Sequence, residues 1–431
     1  MTQLPDDFTI LAIETSCDET AAAVVRGGRT VLSNVVASQM TMHQRFGGIV
    51  PEVASRQHIL SLVPVVEEAL RAVPGGWTKI DAVAATYGPG LSGALLTGLN
   101  AGKALAWQRG LPFVGVNHLE AHIYASWLEV DDRARGRGDE GTRGRGDEGT
   151  RGHGDTSSRC SHIPMAPPPR VPMAPPPRVP LSPLPLGPAA PPEFPIIALL
   201  VSGGHTILAL LRGHGEYTLL GQTRDDAVGE AFDKVARILG LGYPGGPAIQ
   251  QAAQGVMPAG TLPRAWLRET YDFSFSGIKT AVLHKVQERQ ELAARMPTAS
   301  APERKPPRGR AVPATTGVQP PAAPPAPLDP VFVGQIAAAF QESVVDVLTS
   351  KAAEAATRYG ATAILLAGGV AANLRLREEL ARRAAVPVRY PPLELCTDNA
   401  AMVAAAAYYR FAAGTQSDWA LEVVPNLRLG A

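Results

Sequence analysis

Residues 195–211 read PIIALLVSGGHTILALL: a run of β-forming residues, a short turn of small and hydroxyl side chains, and a second such run. The same pattern occurs earlier, at residues 8–25, as FTILAIETSCDETAAAVV. Two apolar runs joined by a polar turn predict paired strands. Each half of the chain then continues with alternating helix and strand patterns. The sequence therefore predicts an α/β fold of two related domains facing a cleft.

The sequence patterns after each strand pair predict further helices and strands. In the first half we expect helices at 58–72 and 93–108, and strands at 81–86 and 113–116. In the second half we expect helices at 229–239, 331–359 and 374–383, and a strand at 363–366. An alanine-rich stretch predicts a further helix at 399–408.

The 40 prolines are concentrated in two places, with 15 in residues 164–195 and 11 in residues 297–330. Proline lacks the N–H donor and has a fixed φ, so a packed core cannot contain it at this density. Residues 135–150 carry the repeat RGRGDEGT twice in succession, and residues 165–180 carry MAPPPRVP twice. We interpret both segments as Pro-rich disordered inserts.

The resulting domain prediction has five parts. Residues 1–130 form the N-terminal domain, and residues 131–193 form the Gly/Arg- and Pro-rich insert. Residues 194–296 begin the C-terminal domain, and residues 297–330 form the second Pro-rich loop. Residues 331–431 complete the C-terminal domain, with the final helix returning to the N-terminal domain.

Charge and cysteine content narrow the functional classes. The formal net charge is +1, and the chain without its two Pro-rich segments has 27 basic and 29 acidic residues, a net charge of −2. Any polyanion must therefore meet a local patch, because there is no global positive field. Three widely spaced cysteines form no disulfide framework, and no apolar run reaches the length of a membrane span. We expect a soluble cytoplasmic protein that does not bind membranes.

Three turns are candidates for binding a phosphate or nucleotide. The turns at Glu14–Thr20 and Ser202–Thr206 would expose backbone N–H groups, and two turns in matching positions are able to hold a phosphate chain from both sides. Leu365–Asn373 (LLAGGVAAN) adds a strand, a Gly-Gly turn and a helix start, where the helix N-terminus favours an anion. Ordinary structural turns remain the alternative at each place.

Two other nucleotide motifs fail on inspection. Gly88–Gly93 (GPGLSG) fits G-x-G-x-x-G, but no acidic residue lies between Asp81 and Glu120 to bind a ribose. Gly98–Lys103 (GLNAGK) is one residue short of a P-loop, and Ala104 replaces the hydroxyl that would bind magnesium. We therefore exclude both the dinucleotide fold and the P-loop.

The segment NHLEAH places His118 and His122 four residues apart, on one face of a helix that Asn117 would cap. Such a pair is able to bind one metal ion. Glu120 lies roughly 200° around the helix from His118, away from the position of a peptidase base. Asp398, before the alanine-rich helix, is the candidate third ligand. The alternative is a pair of unconnected histidines.

A further motif, DDAVGEAFDK at 225–234, would place Asp226, Glu230 and Asp233 or Lys234 along one helical edge. These groups would either bind substrate hydroxyls or form a solvated face with a Glu230–Lys234 pair. Ser274–Thr280 (SFSGIKT) is expected to be a polar loop, in which Lys279 either meets RNA phosphate or is simply exposed.

Taken together, the motifs resemble those of the bacterial tRNA N6-adenosine threonylcarbamoyltransferase (TsaD) family. The segments that carry the resemblance occur in the family's order: ETSCDET, GGIVPEVASRQH, GPGLSGALLTG, NHLEAH, LLVSGGHT, DDAVGEAFDK, YPGGP, FSFSGIKT, LAGGVAAN and CTDNAAM. The resemblance implies two RNase H-like domains of the actin/Hsp70 (ASKHA) type. It also implies transfer of threonylcarbamoyl from threonylcarbamoyl-AMP to N6 of adenosine 37 in tRNAs that read codons beginning with A.

The resemblance assigns roles to individual residues. His118, His122 and Asp398 would bind one divalent metal, with Fe(2+) as the favoured ion and Zn(2+) as the alternative. The substrate-binding set would be Leu200, Val201, Ser202, Gly203, Gly204, Asp233, Gly246 and Asn373. Glu14, on the opposing turn, is our hypothesis for the group that accepts a proton from the amine or orients it. Implied partners are tRNA, a paralogous TsaB-type subunit and a TsaE-type ATPase.

Two other functions are alternatives to the transferase. An ASKHA-fold small-molecule kinase would have no need of the histidine pair. A noncatalytic paralogous subunit would have no need of the intact set His118, His122 and Asp398. Both alternatives are therefore less favoured than the transferase.

Overall fold

The structure is a computed structural model that describes residues 4–130, 193–295 and 328–430. The predicted disordered inserts at 131–193 and 297–330 lie outside these ranges, apart from Glu193 and residues 328–330. The described residues form two lobes, each built on one twisted sheet.

The first lobe contains a six-stranded sheet in the order β5-β4-β1-β2-β3-β6. Strands β1, β2 and β3 are antiparallel neighbours, whereas β4 and β5 run parallel to β1. The strands are β1 (Thr9–Glu14), β2 (Glu19–Arg26), β3 (Thr30–Ser38), β4 (Ala82–Gly88), β5 (Phe113–Asn117) and β6 (Glu129–Val130). The first-lobe helices are α1 (Met40–Gln44), α2 (Pro51–Arg71), α3 (Ser92–Arg109) and α4 (His118–Tyr124).

The second lobe repeats this arrangement, with a five-stranded sheet in the order β11-β10-β7-β8-β9. Strands β7, β8 and β9 are antiparallel, and β10 and β11 run parallel to β7. The strands are β7 (Ile196–Val201), β8 (Thr206–Gly213), β9 (Glu216–Gln222), β10 (Ala363–Ala367) and β11 (Val388–Arg389). The prediction of two related α/β domains is confirmed, because the two sheets share one strand order and the same strand directions.

The helices that follow β9 along the chain are α5 (Val228–Ile238), α6 (Gly245–Ala253), α7 (Ser276–Arg295), α8 (Pro330–Arg358), α9 (Leu374–Arg383) and α10 (Ala400–Ala412). Among the described residues, only α8 is long and apolar enough to span a membrane by length and composition. Of its most apolar window, 72% is buried inside the protein, as in the core helix of a globular fold.

Alternation along the strands divides the interior into separate cores. In β1, Ile10 and Ala12 face a core shared with the second sheet, whereas Leu11 and Ile13 face α2 and α3. The shared core also contains α4 and α10, and α10 packs directly on β1 and β2. Residues Ala400–Ala407 are all buried, and the six alanines among them allow α10 to lie close to the sheet.

Several predicted boundaries differ from the structure. Helix α2 begins at Pro51, seven residues before the predicted start, because Pro51 occupies its first turn, where a missing N–H costs nothing. The predicted loop Ser274–Thr280 instead contains the start of α7 at Ser276. Helix α5 begins at Val228, so Asp226 is not on the predicted helical edge. The Lys234 ammonium nevertheless contacts both Asp226 and Glu230, at 2.7 and 2.9 Å.

After α10, the chain returns across the first lobe as a C-terminal segment, residues 413–430. The Val424 amide donates to the Tyr87 carbonyl at 2.8 Å, and the Gly90 amide donates to the Pro425 carbonyl at 3.1 Å. A Cβ at Gly88 would lie 2.0 Å from the Val424 carbonyl oxygen. Gly88 of the GPGLSG segment therefore makes room for the C-terminal segment, which gives this glycine a packing role.

Candidate metal centre and active site

The histidine pair lies on α4, which begins directly after β5. Asn117 caps this helix, because its side-chain oxygen accepts from the amides of Leu119 and Glu120 at 2.9 and 3.4 Å. The predicted N-cap is thus confirmed. Both histidines are buried, and their ring centroids lie 4.6 Å apart. The four-residue spacing therefore places two imidazoles side by side.

Asp398 completes a three-ligand cluster with these histidines. Its Oδ1 lies 3.1 Å from His122 Nε2 and 3.6 Å from His118 Nε2, and one ligand atom from each of the three residues lies within 4.8 Å of the others. Tetrahedral bonds of about 2.0–2.2 Å would separate ligand atoms by roughly 3.3–3.6 Å. Among the described residues, the buried His122 Nδ1 has no hydrogen-bond partner, and the buried Nε2 has only the Asp398 carboxylate beside it. A buried nitrogen that faces only a carboxylate fits a metal ion that both groups would bind.

The other ring nitrogen of His118, Nδ1, contacts the Glu14–Thr20 turn of the first lobe. His118 Nδ1 lies 3.2 Å from Glu14 Oε2 and 3.1 Å from Ser16 Oγ. A carboxylate on the far nitrogen fixes the tautomer and orientation of a metal-binding histidine and makes it a stronger ligand. Glu14 is fully buried, and its other contacts are the Ser16 amide and the Thr86 hydroxyl, both at 2.5 Å.

The charges in the cluster control its protonation. Burial opposes the charge on His118, but the carboxylates of Asp398 and Glu14 outweigh it and raise the His118 pKa to about 9. Burial likewise opposes ionisation of Asp398, but the charges on His118 and His122 lower its pKa to about 2. The carboxylates therefore attract a positive charge to this position, and a metal cation would displace the His118 proton.

Buried polar contacts hold the Glu14–Thr20 turn in place. His58, on α2, contacts the Thr20 hydroxyl at 2.8 Å and the Cys17 carbonyl at 3.0 Å. The Thr15 hydroxyl donates to the Ala94 carbonyl on α3 at 2.8 Å. The helices on the outer face of the first sheet therefore fix the turn that carries Glu14.

The matching turn of the second lobe leaves two backbone donors free. The Ser202 amide donates to the His205 carbonyl at 2.8 Å, and the His205 amide donates back to Ser202 Oγ at 3.1 Å. Among the described residues, the amides of Gly203 and Gly204 have no hydrogen-bond acceptor, and both glycines are exposed. The turn therefore offers two adjacent N–H groups to an anion.

The other residues predicted to bind substrate lie around this turn or below it. Leu200 and Val201 are fully buried in β7, where the Leu200 side chain packs in the shared core. A Cβ at Gly368 would lie 2.5 Å from the Val201 carbonyl oxygen, so the Gly-Gly turn of the LAGGVAAN segment directly abuts β7. This segment leads into Asn373, which caps α9 and donates to Gln341 Oε1 at 2.9 Å.

Asp233 and Gly246 meet at the start of α6. The Gly245 amide donates to Asp233 Oδ1 at 2.7 Å, and burial raises the pKa of Asp233. Within the described part of the chain, a Cβ at Gly246 would meet no atom within 4 Å, so the backbone is open there to the described residues. Gln250, one turn later, accepts from the Leu374 amide at 2.8 Å, which joins α6 to α9.

Glu120 points away from the metal ligands, as the helical spacing predicts. It is buried, with Oε2 2.8 Å from Arg410 Nε and 2.6 Å from Arg410 Nη2. The Tyr217 hydroxyl donates to its Oε1 at 3.0 Å. Glu120 therefore connects α4 to α10, which begins beside Asp398, and to β9 of the second lobe.

Sequence reasoning missed three groups near this cluster. Burial, with the charges of Asp398 and Asp18, raises the pKa of Glu19 to about 10. Burial, with the charges of His118 and His122, lowers the pKa of His205 to about 4. Burial and Asp18 raise the pKa of Tyr243. The sequence signal that could have identified Glu19 and His205 is their position within the two matching turns. For Tyr243 the sequence offers no signal beyond its place in the YPGG turn.

Fold and site define a two-lobed α/β protein whose lobes meet at a buried set of two histidines and one carboxylate. The profile of the TsaD family, tRNA N6-adenosine threonylcarbamoyltransferase, matches residues 30–135 and 185–405. The tRNA N6-adenosine threonylcarbamoyltransferase of Thermomicrobium roseum is 48% identical over 424 residues, 97% of this chain and 96% of that protein. The chain belongs to this family of transferases.

A second relative agrees. The tRNA N6-adenosine threonylcarbamoyltransferase of Geobacillus kaustophilus is 42% identical over 432 residues, 99% of this chain and 98% of that protein. Among solved structures, HypF of T. kodakarensis is 11% identical with a TM-score of 0.48, covering 96% of this chain and 49% of that one. At that distance the likeness carries no argument about function. The family assignment favours neither the kinase nor the noncatalytic paralogue.

Proposed function

We propose that this chain transfers the threonylcarbamoyl group of threonylcarbamoyl-AMP to N6 of an adenosine in tRNA. The adenine amine would attack the carbamoyl carbon, the bond from that carbon to the phosphate oxygen would break, and AMP would leave as the N6 proton is lost. The observation that carries the proposal is the cluster of His118, His122 and Asp398 in a chain that is 48% identical to a named transferase. We further propose that it acts in the cytoplasm.

The ligand set indicates one divalent metal. Two imidazole nitrogens and one carboxylate are typical of non-haem Fe(2+) sites, and zinc accepts the same donors. We propose Fe(2+) as the resident ion, with Zn(2+) as the alternative. When bound, the ion would supply a positive charge that polarises a carbonyl or phosphate oxygen. Glu14 would orient His118 through Nδ1, because its carboxylate oxygens are already engaged inside the protein.

The protein's own donors would hold the leaving group. Negative charge develops on the carbamoyl and phosphate oxygens during the transfer, and preorganised N–H groups stabilise such charge. The free amides of Gly203 and Gly204 are donors of this kind, whereas the Ser202 amide is engaged within its turn. Gly246 would allow close approach of the adenylate, with Asp233 and Asn373 fixing the backbone around it.

We also propose that the paralogous TsaB-type subunit binds on α2 and α3, and that a TsaE-type ATPase takes part in the reaction. Helix α2 carries an apolar row that is more than 60% exposed, namely Ile59, Leu60 and Val63. Leu96 of the neighbouring helix α3 is 47% exposed. An exposed apolar row on packed helices is typical of a protein interface.

The test of the metal-dependent transferase is the His118→Ala variant. We expect purified wild-type protein to hold about one metal equivalent by elemental analysis and to modify tRNA with its partners present. The variant should lose most of the metal and the transfer activity. His284→Ala is the matched control, because His284 is exposed on α7. Full transfer by the His118→Ala variant without bound metal would contradict the proposal.

A further inference from the structure

Residues 39–50, the 39–50 segment, cross from the Glu14–Thr20 turn of the first lobe to the second lobe. The segment starts next to the Glu14–Thr20 turn, because the Gln39 amide donates to the Asp18 carbonyl at 3.0 Å. Gln44 Nε2 donates to the Tyr243 carbonyl at 3.2 Å, and Arg237 Nη2 donates to the Gly47 carbonyl at 2.6 Å. The segment therefore bridges the two lobes at the edge of the active site.

Internal contacts hold the segment in shape. His43 is fully buried, with Nε2 3.2 Å from Gln39 Oε1 and Nδ1 accepting from the Val50 amide at 3.4 Å. The two ends of the segment are thus tied to one imidazole. The backbone of the segment is therefore fixed, and so is the position of any side chain on its outer face.

Phe46 is the side chain presented in this way. It is 60% exposed, and within the described ranges no other ring or cation packs on it. Arg45 beside it is exposed and forms no ion pair with any described residue. Gly47 and Gly48 follow, with open space where each Cβ would stand, so the ring face is not crowded by its neighbours. An exposed aromatic ring beside an unpaired guanidinium is chemically suited to an unpaired nucleotide.

The proposed acceptor adds a geometric constraint. An enzyme that reacts at an atom of a base must take that base into its site, away from its stacked neighbours. The adjoining nucleotides are covalently tied to the acceptor, so they must lie at the edge of the site. Single-stranded bases stack on aromatic side chains, and the contact does not depend on sequence.

We propose that Phe46 is the stacking platform for an unpaired RNA base adjacent to the acceptor adenosine, with Arg45 contacting its phosphate. This inference rests on the proposed function and names the part of the site that holds the neighbouring nucleotide. A protein partner is less favoured, because Phe46 lies about 13 residues before the apolar row of α2 and on the segment that bridges to Tyr243.

The test compares Phe46→Ala, Phe46→Trp and wild type in the complete enzyme with its partners. Loss of one stacking contact should lower kcat/KM for tRNA by about 10- to 100-fold. The KM for threonylcarbamoyl-AMP and the assembly of the complex should not change. Phe46→Trp should keep at least wild-type kcat/KM, because it retains the stacking face.

Trp266→Ala is the matched control. Trp266 is 37% exposed and lies between α6 and α7 in the second lobe, away from the helices α2 and α3 proposed to bind a partner. Its removal should leave kcat/KM for tRNA unchanged. Equal tRNA kinetics for Phe46→Ala and wild type, or a loss confined to subunit assembly, would overturn the inference. If wild type itself fails to modify tRNA, the proposed function fails instead, so the two failures are distinguishable.

Discussion

The Glu120→Ala substitution tests whether the far side of the metal-binding helix positions the site. In the protein, the Glu120 side chain is 3% exposed and contacts the Arg410 guanidinium and the Tyr217 hydroxyl. Alanine would leave a charged guanidinium and a hydroxyl without their buried acceptor. Breaking a buried pair by removing one partner costs about 3–5 kcal/mol. The Arg410 side chain keeps 23% exposure, so water reaches part of it and we expect roughly 3 kcal/mol.

Urea unfolding, followed by circular dichroism, measures this loss. Glu120→Gln should be intermediate, because the amide keeps the shape and one acceptor oxygen but loses the charge. Glu68→Ala is the control, since Glu68 pairs with Arg71 on an exposed face of α2. Such surface pairs contribute between about 0 and 1 kcal/mol. A Glu120→Ala protein as stable as Glu68→Ala would refute the role of Glu120.

The same substitution separates positioning from general stability. Helix α4 carries His118 and His122, whereas Asp398 directly precedes the cap of α10. Loss of the bond between these helices should weaken metal affinity by about 10-fold or more, the range seen when outer contacts of metal ligands are removed. Metal titration under conditions where all variants remain folded measures this affinity. Unchanged affinity in a destabilised Glu120→Ala protein would show that the contact is structural only.

Two further predictions concern the C-terminal segment and the partner surface. Gly88→Ala should destabilise the protein by about 1–3 kcal/mol and expose residues 413–430 to proteolysis, because its Cβ would meet the Val424 carbonyl. Gly277→Ala in α7 is the control and should cause neither effect, because its Cβ would meet no described atom. Equal behaviour of the two variants would contradict the packing argument. Leu60→Asp should weaken binding of the TsaB-type subunit by at least about 10-fold in a pull-down titration without changing thermal stability, since Leu60 is 70% exposed; undiminished binding would exclude this face.

The repeated strand–turn–strand pattern was enough to predict the fold, for a physical reason. Side chains along a strand alternate between the two faces of the sheet. A continuous apolar run such as Ile10–Ile13 therefore predicts a strand in a sheet that is covered on both faces. Both β1 and β7 are buried along their whole length, which explains why they read as continuous apolar runs. The boundaries of α2 and α7 were less predictable, because their first turns lie beside glycine- and serine-rich segments.

The site was predictable only in part. A four-residue spacing fixes two histidines on one helical face whatever surrounds the helix, so the pair was readable locally. The contacts of Glu14 with His118 and of Glu120 with Arg410 span 104 and 290 residues, and no local pattern encodes them. The same limit applies to Tyr243, which reaches the first-lobe turn only because the lobes meet.

The alanine-rich helix α10 affects the metal site, because its packing sets the position of Asp398. Asn399 caps this helix by accepting from the Met402 amide at 3.0 Å, which fixes the backbone directly after Asp398. The distance from Asp398 to His122 therefore depends on how closely α10 approaches β1, β2 and α4. Larger side chains at the buried positions Ala400–Ala407 would move the helix away from all three. Small residues that look merely structural thus set the separation of the three ligands.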